Sequence, residues 1–312
     1  YYIFKKKINI YDIMFQVLLY YYYAFIDNTE QYLEKHKNFC AEMDVKGRII
    51  ISSEGLNGTI SGSKENCQKY MVFIRDDKRF KNIQFKIDSC EIHLFPKMSI
   101  KLRPEIVSLK VNDLEPDKKT GVHLSPSEFK NMMLREKDAI ILDVRSNYEH
   151  SMGKFKNAHT FDINNFRELP EKIKESDLLN NKDKKIMTYC TGGIKCEKAS
   201  ALLLEYGFKN VYQLNGGIIN YSQKEKGFNF DGECYVFDSR HSIHINNVNP
   251  KIITKCYICN FTSTKLTNCR YTICNRQTII CKKCYLNFDG FCCKECKDVS
   301  YSSEHLRYIP FN

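Results

Sequence analysis

The stretch MTYCTGGIKCEKASALLLEYG, residues 187–207, constrains the fold more than any other part of the chain. An apolar run ends at Cys190, a glycine pair follows, and a helical pattern starts near Glu197 and closes at Gly207. A strand that passes through glycines straight into a helix suits a parallel sheet, with its ligand site at the carboxyl ends of the strands. Neighbouring segments repeat the alternation. LSPSEFKNMM sets Ser125, Pro126 and Glu128 as a capping box and predicts a helix. AIILDVRSNYEH and NVYQLNGGI read as further strands, each ending in a polar or glycine-rich turn. Residues 123–228 are therefore expected to form a parallel α/β domain with helices on both faces.

The loop after the strand has a chemical reading. Gly192 and Gly193 let the backbone curl so that several N–H groups face inward, and the following helix aims its positive end at the same point. An anion held there is stabilised, and it can be the thiolate of Cys190; such settings lower a cysteine pKa from about 8.5 to roughly 3.5–7.5. The expected site is Cys190, Thr191, Gly192, Gly193, Ile194, Lys195 and Cys196. Cys196 reads either as a resolving thiol or as a core residue on the first helical turn. A phosphatase uses a similar cradle, but needs an Arg six residues after its cysteine to grip phosphate in bidentate fashion. That position is Cys196, and Lys195 is a point charge rather than a fork. Phosphatase chemistry is disfavoured.

Upstream, residues 12–110 alternate strand and helix in the order β-α-β-β-α-β, which predicts a ferredoxin-like α/β domain with two helices on one face. VLLYYYYAFI is the first strand. NTEQYLEKHKNFCAEM is the first helix, capped by Asn28 or Thr29, with Leu33, Phe39 and Met43 as its apolar positions. In SEGLNGTISG the Asn57-Gly58 pair reads as a tight hairpin turn. The run IMFQVLLYYYYAF spans 13 residues, against the ~20 a membrane-spanning helix needs, so no membrane segment is expected. No small-residue cleavage site follows it, which argues against a secretory signal. Residues 111–122 form a polar linker and 229–250 a connector.

Nine of the fifteen cysteines fall between Cys256 and Cys296. Without a secretory signal, such clustering points to metal rather than disulfides. Cys256 and Cys259, Cys269 and Cys274, Cys281 and Cys284, and Cys293 and Cys296 have pair spacings that suit two four-thiolate zinc sites. One of Cys292 and Cys293 is left spare, with Cys293 taken as the ligand; sequential or interleaved pairing stays open. Residues 251–312 are thus a zinc-binding, cysteine-rich tail that depends on metal for its fold. The formal charge of +11 is compatible with a nucleic-acid partner, because cations release counterions from phosphates. Abundant Lys, Asn, Ile and Tyr also fit an AT-rich codon bias, so the charge serves only as support.

LDVRSNYEHSMGKFKNA followed by YCTGGIKCEKASALLLEYGFKNVYQLNGGI resembles a rhodanese domain. With GRIIISSEGLNGTISG, LFPKMSIKLRPEIVSL, NNFRELPE at 164–171 and GECYVFDSR at 232–240, residues 15–245 resemble the rhodanese-containing tRNA uridine-34 hydroxylase family. The resemblance implies oxygen-dependent 5-hydroxylation of the wobble uridine, with tRNA as partner, molecular oxygen as co-substrate and Cys190 as the active-site cysteine. A thiolate adding to the 6-carbon of uracil would make the 5-carbon nucleophilic. Asp143, Arg145 and Glu149 match the rhodanese signature, and they also read as ion pairs bracing a strand end. Lys97, Lys101 and Arg103, in a shared segment, are candidate phosphate contacts. The family loop reads CTGGIRC, and Lys195 stands in place of its Arg, which implies slower or altered chemistry. No flavin, haem or nucleotide-cofactor motif is visible. Two rivals stand beside this reading: a sulfurtransferase carrying a persulfide on Cys190, and a non-catalytic rhodanese and zinc binding module. A cytoplasmic location is expected; an organellar one stays open because the sequence starts at Tyr1 rather than Met. The oligomeric state is not read.

Overall fold

A computed structural model describes residues 15–300 and 305–306. Residues 12–14 of the expected first domain, and 301–304 and 307–312 of the tail, lie outside the described residues.

The first domain runs β1 (Phe15–Tyr23), α1 (Thr29–Glu42), β2 (Val45–Ser52), β3 (Gly55–Ser63), α2 (Lys64–Arg75), β4 (Phe85–Cys90) and β5 (Met98–Leu102). Its sheet has the order β4-β1-β3-β2-β5. The first four strands are antiparallel, and β5 adds a parallel fifth strand beside β2 that the pattern did not predict. Alternation along β1 sends Leu18 and Tyr20 into the core beneath α1 and α2. Leu19 and Tyr21 point the other way, toward the second domain. Asn28 caps α1, its side chain accepting from the Gln31 N–H at 2.9 Å.

Two readings of this domain need correction. The buried stripe of α1 is Tyr32, His36 and Cys40. Leu33, Phe39 and Met43 are only partly buried, and Phe39 stacks on Phe73 of α2 at 4.0 Å between the helices. The Asn57-Gly58 pair is not a turn either: the chain reverses at Ser53–Glu54, and both residues lie within β3. Gly58 is needed there because a Cβ would stand 2.1 Å from the Tyr20 hydroxyl, which crosses the strand.

The second domain runs β6 (Val122–Leu124), α3 (Pro126–Arg135), β7 (Ile140–Asp143), α4 (Asn147–His150), β8 (Gly153–Phe155), β9 (His159–Thr160), α5 (Leu169–Lys174), β10 (Lys185–Tyr189), α6 (Ile194–Glu205), β11 (Asn210–Leu214) and α7 (Gly217–Glu225). Its sheet is parallel throughout, in the order β6-β11-β10-β7-β9. Phe129, Ile218 and Tyr221 cover one face from α3 and α7, while Ile173, Ala199 and Leu202 cover the other from α5 and α6. The Ser125–Glu128 capping box forms. α6 starts at Ile194, three residues before the expected position, because Gly193 takes φ +102° and caps it.

The connector contains β12 (Phe230–Gly232), β13 (Cys234–Tyr235) and β14 (Ser242–Ile243), and the tail β15 (Leu266–Asn268), β16 (Gln277–Ile279), α8 (Lys282–Asn287) and α9 (Lys294–Ser300). β12 pairs with β8 of the second domain, so residues 229–250 are packed structure rather than a loose connector. No helix among the described residues is long and apolar enough to cross a membrane.

Candidate active site

Cys190 directly follows β10 and is 1% exposed. It is not walled in by packed side chains: it sits on a cavity of about 480 Å³ that also touches the first domain and residues 236–243. The Gly193 N–H donates to its Sγ at 3.1 Å. Burial pushes the thiol up, but the Cys196 thiol, the Lys195 charge and the Gly193 and Cys196 amides outweigh it and bring Cys190 down to about 6. Burial and the neighbouring Cys190 push Cys196 well above its ordinary value, so Cys196 stays a protonated donor on the first turn of α6.

Lys195 turns back to pair with the fully buried Glu149, whose Oε2 also accepts from the Ser146 N–H at 3.0 Å. Asp143 and Arg145 form a fully buried pair at the end of β7. Arg145 donates to both carboxylate oxygens and, at 2.6 Å, to the Gly153 carbonyl. This pair braces the strand end and does not line the cavity, whereas Glu149, Thr191, Gly192, Ile194 and Lys195 do. The loop is buttressed from α7, where the Ile218 and Ile219 N–H groups donate to the Cys190 and Thr191 carbonyls at 2.9 and 3.1 Å. Gly217 allows this approach; a Cβ on it would stand 2.5 Å from the Cys190 carbonyl.

The glycine pair has a second purpose that sequence reasoning missed. Leu19 lies where a Cβ on Gly192 would be, at 2.8 Å, and the Tyr21 hydroxyl stands 2.9 Å from a Cβ on Gly193. The outer face of β1 thus rests on the loop. Tyr21 then donates to Glu197 Oε1 at 2.9 Å, and Lys198 Nζ reaches Glu54 and Glu105 of the first domain at 2.9 and 2.7 Å. Arg240 grips Asp238 in bidentate fashion at 2.9 and 2.8 Å and reaches Asp88 on β4 at 2.7 Å. The first domain roofs the cavity with Arg48, Tyr21 and Lys86, and residues 236–243 form a side wall with Phe237. GECYVFDSR was visible as a motif but was assigned to a connector; its presence was the available signal.

Lys97, Lys101 and Arg103 are exposed on β5 and its flanks. Lys101 shares a register pair with Ile50, which places it on the cavity side of the sheet, yet none of the three lines the cavity. Arg48 and Arg167 do line it and are exposed.

In the tail, Cys256 and Cys259 gather with Cys281 and Cys284, and Cys269 and Cys274 with Cys292 and Cys296, the sulfurs of each group lying within 4.8 Å of one another. The pairing is interleaved. Cys292, not Cys293, is the sulfur that completes the second group, because it turns inward and is 1% exposed. Sulfurs 3.7–3.8 Å apart, as between Cys259 and Cys281 and between Cys274 and Cys292, are too far apart for a disulfide. A tetrahedral zinc with Zn–S of about 2.3 Å puts its sulfurs about 3.8 Å apart, so both groups fit that ion.

Comparison with known proteins agrees with this architecture. Residues 15–106 match the UPF0176 acylphosphatase like domain, 125–224 the rhodanese-like domain and 231–297 the rhodanase C-terminal region. A protein of Cytophaga hutchinsonii named tRNA uridine(34) hydroxylase is 52% identical over 283 residues, 91% of this chain and 90% of that one. One of the same name from Staphylococcus carnosus is 44% identical over 298 residues, 95% and 92% of the two chains. Among solved structures, a rhodanese-like domain from an Anabaena species is 25% identical, with a TM-score of 0.30, over 35% of this chain and 78% of that one.

Proposed function

The chain belongs to the tRNA uridine(34) hydroxylase family, and on that premise we propose that it installs a 5-hydroxyl on the wobble uridine of tRNA, with Cys190 as its nucleophile. The observation that carries this reading is the Cys190 sulfur, held by the Gly193 N–H and set on a cavity shared by two domains. At about 480 Å³ the cavity lies within the ~300–1,000 Å³ of small-ligand pockets, room for one everted nucleotide and not for a duplex. Tyr148 and Phe237, both cavity-lining and exposed, suit stacking on a single-stranded base. Arg48 and Arg167 suit its flanking phosphates.

In the first step the Cys190 thiolate adds to the uracil 6-carbon. The S–C6 bond forms and the C5=C6 pair shifts onto C5 and O4. One atom of molecular oxygen, the proposed co-substrate, then goes to C5 and the other to water with two electrons from an external reductant. Loss of the C5 proton expels the Cys190 thiolate and restores C5=C6. Zinc is the proposed occupant of both four-sulfur groups, where it would staple the tail. A cytoplasmic location is proposed on the strength of the tRNA substrate, and an organelle with its own tRNA fits equally.

Nucleoside mass spectrometry of tRNA from cells carrying the wild type or Cys190→Ser tests the reading. 5-Hydroxyuridine at position 34 is expected only with the wild type. Unchanged tRNA together with fast thiosulfate-to-cyanide sulfur transfer would replace the reading with a sulfurtransferase. Activity indifferent to Cys190→Ser would leave a binding module.

A further inference from the structure

The charges around Cys190 resolve into partnered sets until two groups are left. Lys195 is matched by Glu149, Arg145 by Asp143, and Arg240 by Asp238 and the half-exposed Asp88. On α6, Lys198 is matched by Glu54 and Glu105, while Glu197 takes hydrogen bonds from Tyr21 and Gln213 and pairs with His123. Arg48 and Arg167 are exposed to solvent. What is left is Cys190 on the floor of the cavity and Lys86 in its roof. Among the described residues no carboxylate lies within ion-pair distance of Lys86.

Lys86 is carried to the loop by the fold of the first domain. It sits on β4 directly opposite Leu19 in the β1 register. Its Nζ lies 4.9 Å from the Tyr21 ring centre. Leu19 and Tyr21 are the two side chains that rest on Gly192 and Gly193, so one face of one sheet sets a methyl group and a phenol ring against the cysteine loop and lines the cavity beside it with an ammonium. We infer that Lys86 is the counter-ion of the Cys190 thiolate, supplied to the rhodanese loop by the other domain.

The arrangement explains why the loop tolerates a Lys–Glu pair beside its nucleophile. Lys195 lowers the Cys190 thiol although Glu149 already matches it, and the half-buried Lys86, which lines the same cavity without a carboxylate partner, adds a second positive charge. Burial lowers the Lys86 ammonium to about 8, while the Cys190 and Glu197 charges act to raise it. With Cys190 at about 6, thiolate and ammonium coexist between roughly pH 6 and 8. The inference rests on Cys190 as the working nucleophile but not on the identity of the base, so the two readings fail separately.

The test is peptide-resolved alkylation of Cys190 by iodoacetamide, from about pH 5 to 9, on the full chain as wild type, Lys86→Met, Lys86→Gln and Lys86→Arg. The wild-type midpoint is expected near 6. Either neutral variant should raise it by about one pH unit, and Lys86→Arg should restore it. Thermal melting run in parallel identifies a variant that fails to fold, in which case the other neutral variant decides. A midpoint unmoved in a folded neutral variant, or moved equally in Lys86→Arg, overturns the inference. Normal Lys86 dependence with no 5-hydroxyuridine in tRNA would sink the tRNA reading and leave this one intact.

Discussion

Replacing Lys198 by Met tests whether the active site depends on the docking of two domains. Lys198 is 3% exposed, and its Nζ lies 2.9 Å from Glu54 and 2.7 Å from Glu105. Methionine keeps most of the apolar stem and removes the charge, leaving two carboxylates facing each other. Breaking a buried pair from one side costs about 3–5 kcal/mol. The carboxylates keep 24% and 19% of their side-chain exposure, so water screens part of the loss and about 3 kcal/mol is the reasonable figure. At about 2–4 °C per kcal/mol, the melting midpoint should fall by roughly 6–12 °C. Tyrosine emission can follow it, since the chain has 20 Tyr and no Trp. A second readout is more specific: at about pH 9, where Cys190 is ionised with or without its counter-ion, it should alkylate faster as the roof lifts from the loop. Changing Glu54 and Glu105 to Gln in the Lys198→Met background should recover most of the lost stability, because no bare charge is then left. Burial pushes the Glu105 carboxyl up, but Lys198 and the Leu109 and Lys110 amides outweigh it and hold the group low. Its contribution is therefore present above the ordinary carboxylate range and lost as pH falls through the lowered value. An unchanged melting midpoint together with unchanged Cys190 alkylation would refute the idea that this contact closes the site.

Two further outcomes follow from the same structure. Purified protein should carry two equivalents of zinc by metal analysis; Cys292→Ser should fall to one and Cys293→Ser should keep two, and the reverse result would return the ligand to Cys293. Burial among Tyr32, Tyr70 and Phe73 lowers His36 to about 4, against about 6.5 when unfolded. The neutral ring thus favours the fold above about 6.5, and stability falls by up to ~1.4 kcal/mol per pH unit down toward about 4. Urea unfolding at pH 7 and pH 5 should show a smaller pH difference in His36→Phe than in the wild type; equal differences would reject the assignment.

Much of the molecule could be read from local patterns. The parallel sheet, the capped helices and the thiolate loop follow from short-range rules: apolar runs end in glycines, Ser125 reaches Glu128, and Gly193 opens a helix toward Cys190. Cysteine spacing likewise announced two four-sulfur groups, because ligands with two to four residues between them can share one ion. These features depend on residues close in sequence, so the sequence alone determined them. Three others depended on residues brought together from afar. Asn57-Gly58 looks like a turn until Tyr20 is seen crossing it. Cys292 and Cys293 are equivalent by spacing and differ only in which one turns inward. The roof of the site joins Leu19, Tyr21 and Lys86 to a loop more than a hundred residues away. A period-two strand shows that it has two faces and cannot show what its outer face will meet. Docking of the first domain decided that, through Lys198, Tyr21 and Arg240, and turned a cysteine loop that many folds could carry into an enclosed site.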